Sequence, residues 1–277
     1  MISLLKLSAL LVGVASAQEA TYTNRIFHDF RSCNRCAPAV EPANITTDAE
    51  SAAALVQPGY LTSDTFINDF GIQTWGTQVG VNNPIRKLNS NQNVYIQRDL
   101  EDSTSYLVLR AYRNADFISS AEIETKVHNI FHASIRIRAR VRGDPGTCAG
   151  IFTYYDDVNE SDIEILTRDP TNHVRYTNQP GLDANGNEIP EATVEAVMGG
   201  GAVWTDWNDY RLDWTAELSS WYLNGELAHT KTYGIPTQPS TFIMNMWGDG
   251  GVWTGDMAVG AAAYLDIEWV EILYNTA

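Results

Sequence analysis

Three observations predict an all-β fold: a β-sandwich jelly roll of two curved antiparallel sheets with a concave cleft. Short segments that alternate, or are rich in β-branched residues, recur through most of the chain. Gly, Pro and Asn punctuate them. No amphipathic helix longer than a turn or two stands out, which leaves a sandwich rather than an α/β or helical architecture.

Residues 1–17 carry one Lys, an apolar run from Leu7 to Val14 and the small-residue end Ala15-Ser16-Ala17. This is the pattern of a secretory leader cut before Gln18. The apolar run is too short to cross a bilayer, and no later segment is long enough. A lipid-anchor tail is not expected either. The expected product is a soluble, secreted, extracellular protein with no membrane partner.

Residues 18–63 are rich in Ala, Pro, Asn and Asp and show little period. They read as an N-terminal strap with at most one strand, near "IFHDF". Asn44 opens the sequon "NIT" in this segment and is the expected glycosylation site.

Residues 64–277 read as one jelly-roll domain. "NVYIQRD", "SYLVLRAY" and "SAEIETK" are its first strands. "SIRIRARVR", residues 134–142, alternates Ile135, Ile137, Ala139 and Val141 with four arginines, the mark of a half-buried antiparallel strand. "AGIFTYY", "SDIEIL", "HVRYTNQ", "DYRLDWT", "STFIMNMW" and "AYLDIEWVEILY" continue the series. "SSWYLNGELAHTK" holds Asn224-Gly225, the strongest short hairpin signal. No internal repeat or long linker marks an appended module.

The charge balance is 34 acids against 18 bases. It argues against nucleic acid as a partner, and the arginine stripe is expected to pair with surface acids instead. A neutral polymer suits this charge. Three cysteines cannot all pair. A local disulfide between Cys33 and Cys36 is the expectation, with Cys148 pairing to one of them as the rival. Cys148 otherwise reads as a buried thiol.

"NESDIEIL", residues 159–166, concentrates Glu160, Asp162 and Glu164 on one strand face, since side chains at i, i+2 and i+4 point the same way. Ser161, Ile163 and Ile165, with Asn159, point to the core. Two carboxyls about 5–5.5 Å apart serve a retaining glycosidase, one as nucleophile and one as acid/base. Crowding by the middle acid is expected to separate their pKa values through mutual repulsion. A solvated polar strand face or a calcium cluster would also place acids there, but this spacing spreads ligands too far to wrap one ion. Seven of the eight tryptophans follow residue 203, several in Gly- or Asn-rich segments suited to sugar stacking. Rival catalytic patterns such as H-E-x-x-H, G-x-S-x-G and the P-loop are missing.

Over roughly residues 65–275 the sequence resembles glycoside hydrolase family 16, the retaining β-glucanases and transglycosylases of the concanavalin-like jelly roll. "FTYYDDVNESDIEI" carries the resemblance, supported by "SAEIET" upstream and by "YRLDWT", "WYLNG", "IMNMWGDGG" and "LDIEWVEI" downstream. The resemblance implies Glu160 as nucleophile, Glu164 as acid/base and Asp162 as assisting acid. It implies Tyr154, Tyr176, Asn245 and Trp247 as sugar contacts. No cofactor is required on this reading, and a structural calcium would have Glu268 as its local match. Val158 and Ser161 depart from the mixed-linkage glucanases, which carry an aromatic and an Ile or Val at these places. The expected function is a monomeric, secreted, retaining endo-β-glucanase acting on β-1,3- or mixed β-1,3/1,4-glucan. A cell-wall transglycosylase with the same acid pair and a non-catalytic, lectin-like glycan-binding domain are the alternatives. Product sizes separate the first two, and loss of one acid would mark the third.

Overall fold

The computed structural model describes residues 21–33, 41–99 and 104–277. The expected leader at 1–17, with Cys36 and part of the strap, lies outside the described residues. The strands in chain order are β1 (Asn24–Asp29), β2 (Phe70–Ile72), β3 (Arg86–Asn89), β4 (Val94–Arg98), β5 (Ser105–Arg113), β6 (Phe117–Thr125), β7 (Ile130–Gly143) and β8 (Cys148–Asp156). They continue with β9 (Asn159–Leu166), β10 (His173–Asn178), β11 (Thr193–Val197), β12 (Asn208–Trp214), β13 (Ser219–Leu223), β14 (Glu226–Lys231), β15 (Thr241–Trp247) and β16 (Ala262–Thr276). Two short helices, α1 (Asp48–Ala53) and α2 (Asp64–Asp69), precede the main sheets. Thr47 and Ser63 cap their N-termini, and Glu50 completes a capping box on α1.

Strand pairing runs β11-β10-β9-β8-β15-β6-β5-β16-β7-β12-β13-β14. It divides into two layers at β6. Residues 117–120 of β6 pair with β3 and β5, whereas residues 121–125 pair with β15 and β2. The cleft sheet is therefore β11-β10-β9-β8-β15-β6, and the second sheet runs from β5 to β14. Alternation sends one face of each strand between the layers. Ile163, Ile165, Ile151, Met244 and Ile123 from the cleft sheet meet Ile135, Ile137, Leu212, Leu265 and Ile267 from the second in one core.

The outer face of the second sheet carries the arginine stripe. Arg138 pairs with Asp209 and Glu268, and Arg140 and Arg142 both reach buried Asp266. The side chains also stack on rings, Arg140 on Trp207 and Arg142 on Tyr264. The stripe is thus satisfied by acids of this chain, as its alternation implies.

The strap is part of the sandwich. β1 pairs along the second half of β16, and Ile26 and Phe30 enter the main core. Arg110, fully buried, holds the segment before α1 by donating to the carbonyls of Pro42 and Ala43. Asn44 is exposed beside it. Cys33 is disulfide-bonded, while Cys148 is a free, buried thiol, so the rival pairing of Cys148 does not form. The hairpin at Asn224-Gly225 takes φ of 50° and 87°, the turn that Asn-Gly favours. Strands β2, β3 and β11 are not evident in the sequence. The first two are too short to show a period, and β11 is a half-exposed edge strand.

Candidate active site

Register across the cleft sheet decides what faces the cleft. Residues opposite one another on paired strands share a face. One row runs Arg175, Glu164, Gly150, Asn245, Glu122. The next runs Thr177, Asp162, Phe152, Ile243, Glu124, and a third joins Glu160, Tyr154 and Thr241. Together with Trp75, Lys87 and Trp247, side chains of these rows on β6, β8, β9 and β15 line a cleft of ≈ 500 Å³. The row between them, Tyr176, Ile163, Ile151, Met244, Ile123, faces the core.

Glu160, Asp162 and Glu164 stand together in this cleft, as the alternation of β9 requires. Ser161 beneath them is buried and donates to Asn178 Oδ1. Asn159 takes hydrogen bonds from Thr237 and donates to Asp156, which fixes the start of the strand.

Each acid has a different environment. Glu164 Oε1 accepts from Trp253 Nε1 at 2.9 Å and from the Cys148 thiol at 3.4 Å. The Arg175 guanidinium lies over the Trp253 ring, 5.1 Å from its centroid, and is anchored by Asp169 and Glu195. Burial raises the Glu164 carboxyl, while these two donors and the Arg175 charge pull it back. Burial pushes Glu160 up to about 7; a hydrogen bond with Asp162 opposes the rise, and the charges of Glu164 and Asp157 add to it. Asp162 is held well above the carboxylate range by burial first, then by the charges of its two neighbours. Its Oδ2 is buried with no donor against it. Burial thus favours the protonated form of Asp162, which lowers the neighbouring Glu160 carboxyl, while Gln179 pulls Asp162 part of the way back.

Repulsion was the expected agent of these shifts. Removal from water is the larger cause for all three acids. The middle acid favours its neutral form over a third charge.

The other expected site residues divide. Tyr154, Asn245 and Trp247 line the cleft, and the Tyr154 hydroxyl donates to Asp157. Tyr176 does not reach it. Its place opposite Ile163 turns it inward, where it stacks on Trp221 at 5.5 Å, so its assignment as a sugar contact is corrected. Glu268, the local match for a structural calcium, lies away from the cleft, and its carboxylate accepts from Arg138 Nε at 2.7 Å. No group of three or more His, Cys, Asp or Glu suited to a metal occurs among the described residues.

Three tryptophans of the C-terminal half, Trp204, Trp214 and Trp221, are buried in the core instead. At the cleft are Trp247, Trp253 and, unforeseen, Trp75. Glu122 and Glu124 also went unforeseen as site residues. Their i, i+2 spacing in "SAEIET" is the signal that places both on the cleft face. Lys87 and Gly150 carry no such local mark.

Residues 82–271 match the family model "Glycosyl hydrolases family 16". The chain is 28% identical to a "Beta-glucanase" of Bacillus subtilis (strain 168) over 169 residues, 58% of this chain and 64% of that protein. It is 27% identical to "Crh-like protein 2" of Aspergillus fumigatus over 158 residues, 51% of this chain and 33% of that protein. The match thus spans less than two thirds of either relative. The fold superposes on the Bacillus licheniformis beta-glucanase with a TM-score of 0.61 at 21% identity, covering 75% of this chain and 93% of that one.

Proposed function

This chain belongs to glycosyl hydrolases family 16, and from that premise we propose that it is a retaining endo-β-glucanase. Its substrate on this reading is β-1,3- or mixed β-1,3/1,4-glucan. Export is part of the proposal and rests on the leader pattern of residues 1–17.

The observation that carries the reading is the gathering of three acids on one cleft-facing strand. Glu160, whose carboxyl the neighbouring Asp162 lowers, is the carboxylate that attacks the anomeric carbon. Glu164 donates its proton to the leaving oxygen as the glycosidic bond breaks. The covalent glycosyl–Glu160 ester is then released by water, whose proton Glu164 takes up. Trp253 and Cys148 hold one oxygen of Glu164, with Arg175 over the Trp253 ring, so its proton exchange uses the other. The neutral, partly apolar cleft floor of Gly150, Phe152 and Ile243 suits an uncharged chain.

Glu160→Gln tested on laminarin and on barley-type glucan decides the nucleophile. The expected result is loss of cleavage of whichever glucan the parent cleaves. Parent-like activity would remove Glu160 from the role.

A second reading keeps the chemistry and changes the acceptor. Likeness to the Crh-like protein favours it. Sugar rather than water then captures the ester, and products longer than a defined starting oligosaccharide would establish transfer. A purely lectin-like role fits poorly with three intact acids in one cleft.

A further inference from the structure

One oxygen of Glu164 takes two donors of unequal strength. Trp253 Nε1 reaches Oε1 at 2.9 Å, the ordinary length of an N–H···O bond, and the Cys148 thiol reaches the same atom at 3.4 Å. Strand β8 supplies the thiol. Cys148 alternates with Gly150, Phe152 and Tyr154, the residues of β8 that line the cleft, so it shares their face. It sits opposite Leu166 and Trp247 and is closed off from solvent, at 0% exposure.

A buried cysteine ordinarily serves as a small hydrophobe. Its S–H is a weak donor, and here that donor meets the carboxyl that must give and take the proton. Burial first, and then the charge of Glu164, push the thiol well above its ordinary range. It therefore stays S–H, and acts neither as a nucleophile nor as a base. A donor to a carboxylate favours the ionised form. Burial raises Glu164, and Trp253, Cys148 and Arg175 oppose it in that order. With Oε1 taken from two sides, Oε2 is left to carry the mobile proton. An aliphatic side chain at position 148 would leave Oε1 to the indole, and a hydroxyl would supply a stronger donor than the thiol.

We propose that Cys148 is a positioning residue for the acid/base: its weak S–H donor holds Oε1 of Glu164 against β8 and tunes how firmly Oε2 keeps the proton it must give. The proposal rests on the glucanase reading for the role of Glu164 and deepens it, by naming a residue that sets the upper limit of the working pH. The charged groups facing Glu164 are Arg175 on β10 and Glu160 and Asp162 on its own strand, with Glu122 and Glu124 on β6 and Lys87 on β3 farther along the cleft. A change confined to position 148 leaves all six in place.

The test compares the parent with Cys148→Ala and Cys148→Ser. The basic limb of the kcat/KM profile reports loss of the proton from the acid/base. Cys148→Ala removes the donor, so this limb is expected to move to higher pH. Cys148→Ser strengthens it, so the limb is expected to move to lower pH. One pH unit above the parent's basic midpoint, kcat/KM relative to each protein's own maximum is expected to rise about threefold in the first variant and to fall about threefold in the second, the worth of one weak hydrogen bond. Loss of rate at every pH with the limb unmoved, or movement of the limb in the same direction in both variants, overturns the proposal. A second measurement reads the parent itself, without turnover. The S–H stretching band of Cys148, identified by its absence from Cys148→Ser, is followed by infrared spectroscopy across the same pH range. It is expected to shift to lower frequency as Glu164 ionises, because a carboxylate accepts more strongly than a carboxyl, and to stay fixed in Glu164→Gln. A band that stays constant in the parent overturns the proposal as well. Failure of the parent to cleave any glucan overturns the glucanase reading instead, and the band still decides whether Cys148 serves Glu164.

Discussion

At the scale of single residues, each of the three acids has surroundings of its own. Burial favours the protonated form of Asp162, Asp162 lowers the Glu160 carboxyl beside it, and Glu164 is held by an indole and a thiol. Asp162→Ala removes the donor that lowers the Glu160 pKa. The acid limb of the kcat/KM profile, which reports ionisation of the nucleophile, is expected to move to higher pH. Asp162→Asn keeps an N–H donor and is expected to leave that limb near its parental place. A pH–rate profile of both variants checks this, and equal shifts in the two would contradict the donor role. Tyr176→Phe offers a second residue-scale check. Its hydroxyl is buried with no partner inside the core, so the change is expected to leave KM for glucan within about twofold and stability undiminished. The alternation of "NESDIEIL" was enough to bring the acids onto one face. Tyr176 was misplaced because facing depends on which residue lies opposite, and "RYTNQ" carries no clue to its pairing with Ile163. The Cys148 thiol beside Glu164 was hidden for the same reason, being sixteen positions away in sequence and adjacent only through β8–β9 pairing.

Elements show the same contrast between local and paired information. β7, with its strict alternation, was legible in full, and so was its need for acidic partners. Which acids would serve was not legible, because Asp266 and Glu268 come from β16, more than a hundred residues later. Asp266 is fully buried between Arg140 and Arg142. Removing it strands two guanidinium groups at a partly buried site. Asp266→Ala is expected to cost about 3 kcal/mol, visible as a lower urea midpoint with little change in slope. A loss below about 0.5 kcal/mol would mean that solvent screens the cluster as it screens an ordinary surface pair. Short strands and edge strands escaped notice because a period cannot show in three or four residues, as with β2 and β3. The double role of β6 was also illegible, since a strand that passes from one sheet to the other keeps the same alternation throughout.

For the whole molecule, the active site is a place where stability is given up. A buried carboxyl with its pKa raised from 4.5 to about 7 binds more protons folded than unfolded across that interval. Stability therefore falls as pH rises between those values, and the loss is complete above the upper one. Glu160→Gln removes the ionisation while keeping the shape. The variant is expected to match the parent near pH 4 and to exceed it at pH 8 by up to about 3 kcal/mol. Melting temperatures of both proteins across this range provide the measurement, and parallel curves would contradict the shift. The sandwich, its β-rich pattern and its cleft-bearing strand were all open to sequence reading, because each rests on periodicity. The join of the strap to β16 and the fixing of its chain by Arg110 rest on distant contacts and were not.

Retention of configuration is the central claim about the chemistry, and it has one direct measurement. Proton NMR of a glucan digest records the anomer formed first, before mutarotation mixes the two. Attack by Glu160 followed by attack of water inverts the anomeric carbon twice, so the account predicts the β-anomer as the initial product. Initial appearance of the α-anomer would show a single displacement and would contradict the assignment of Glu160 as nucleophile and Glu164 as acid/base.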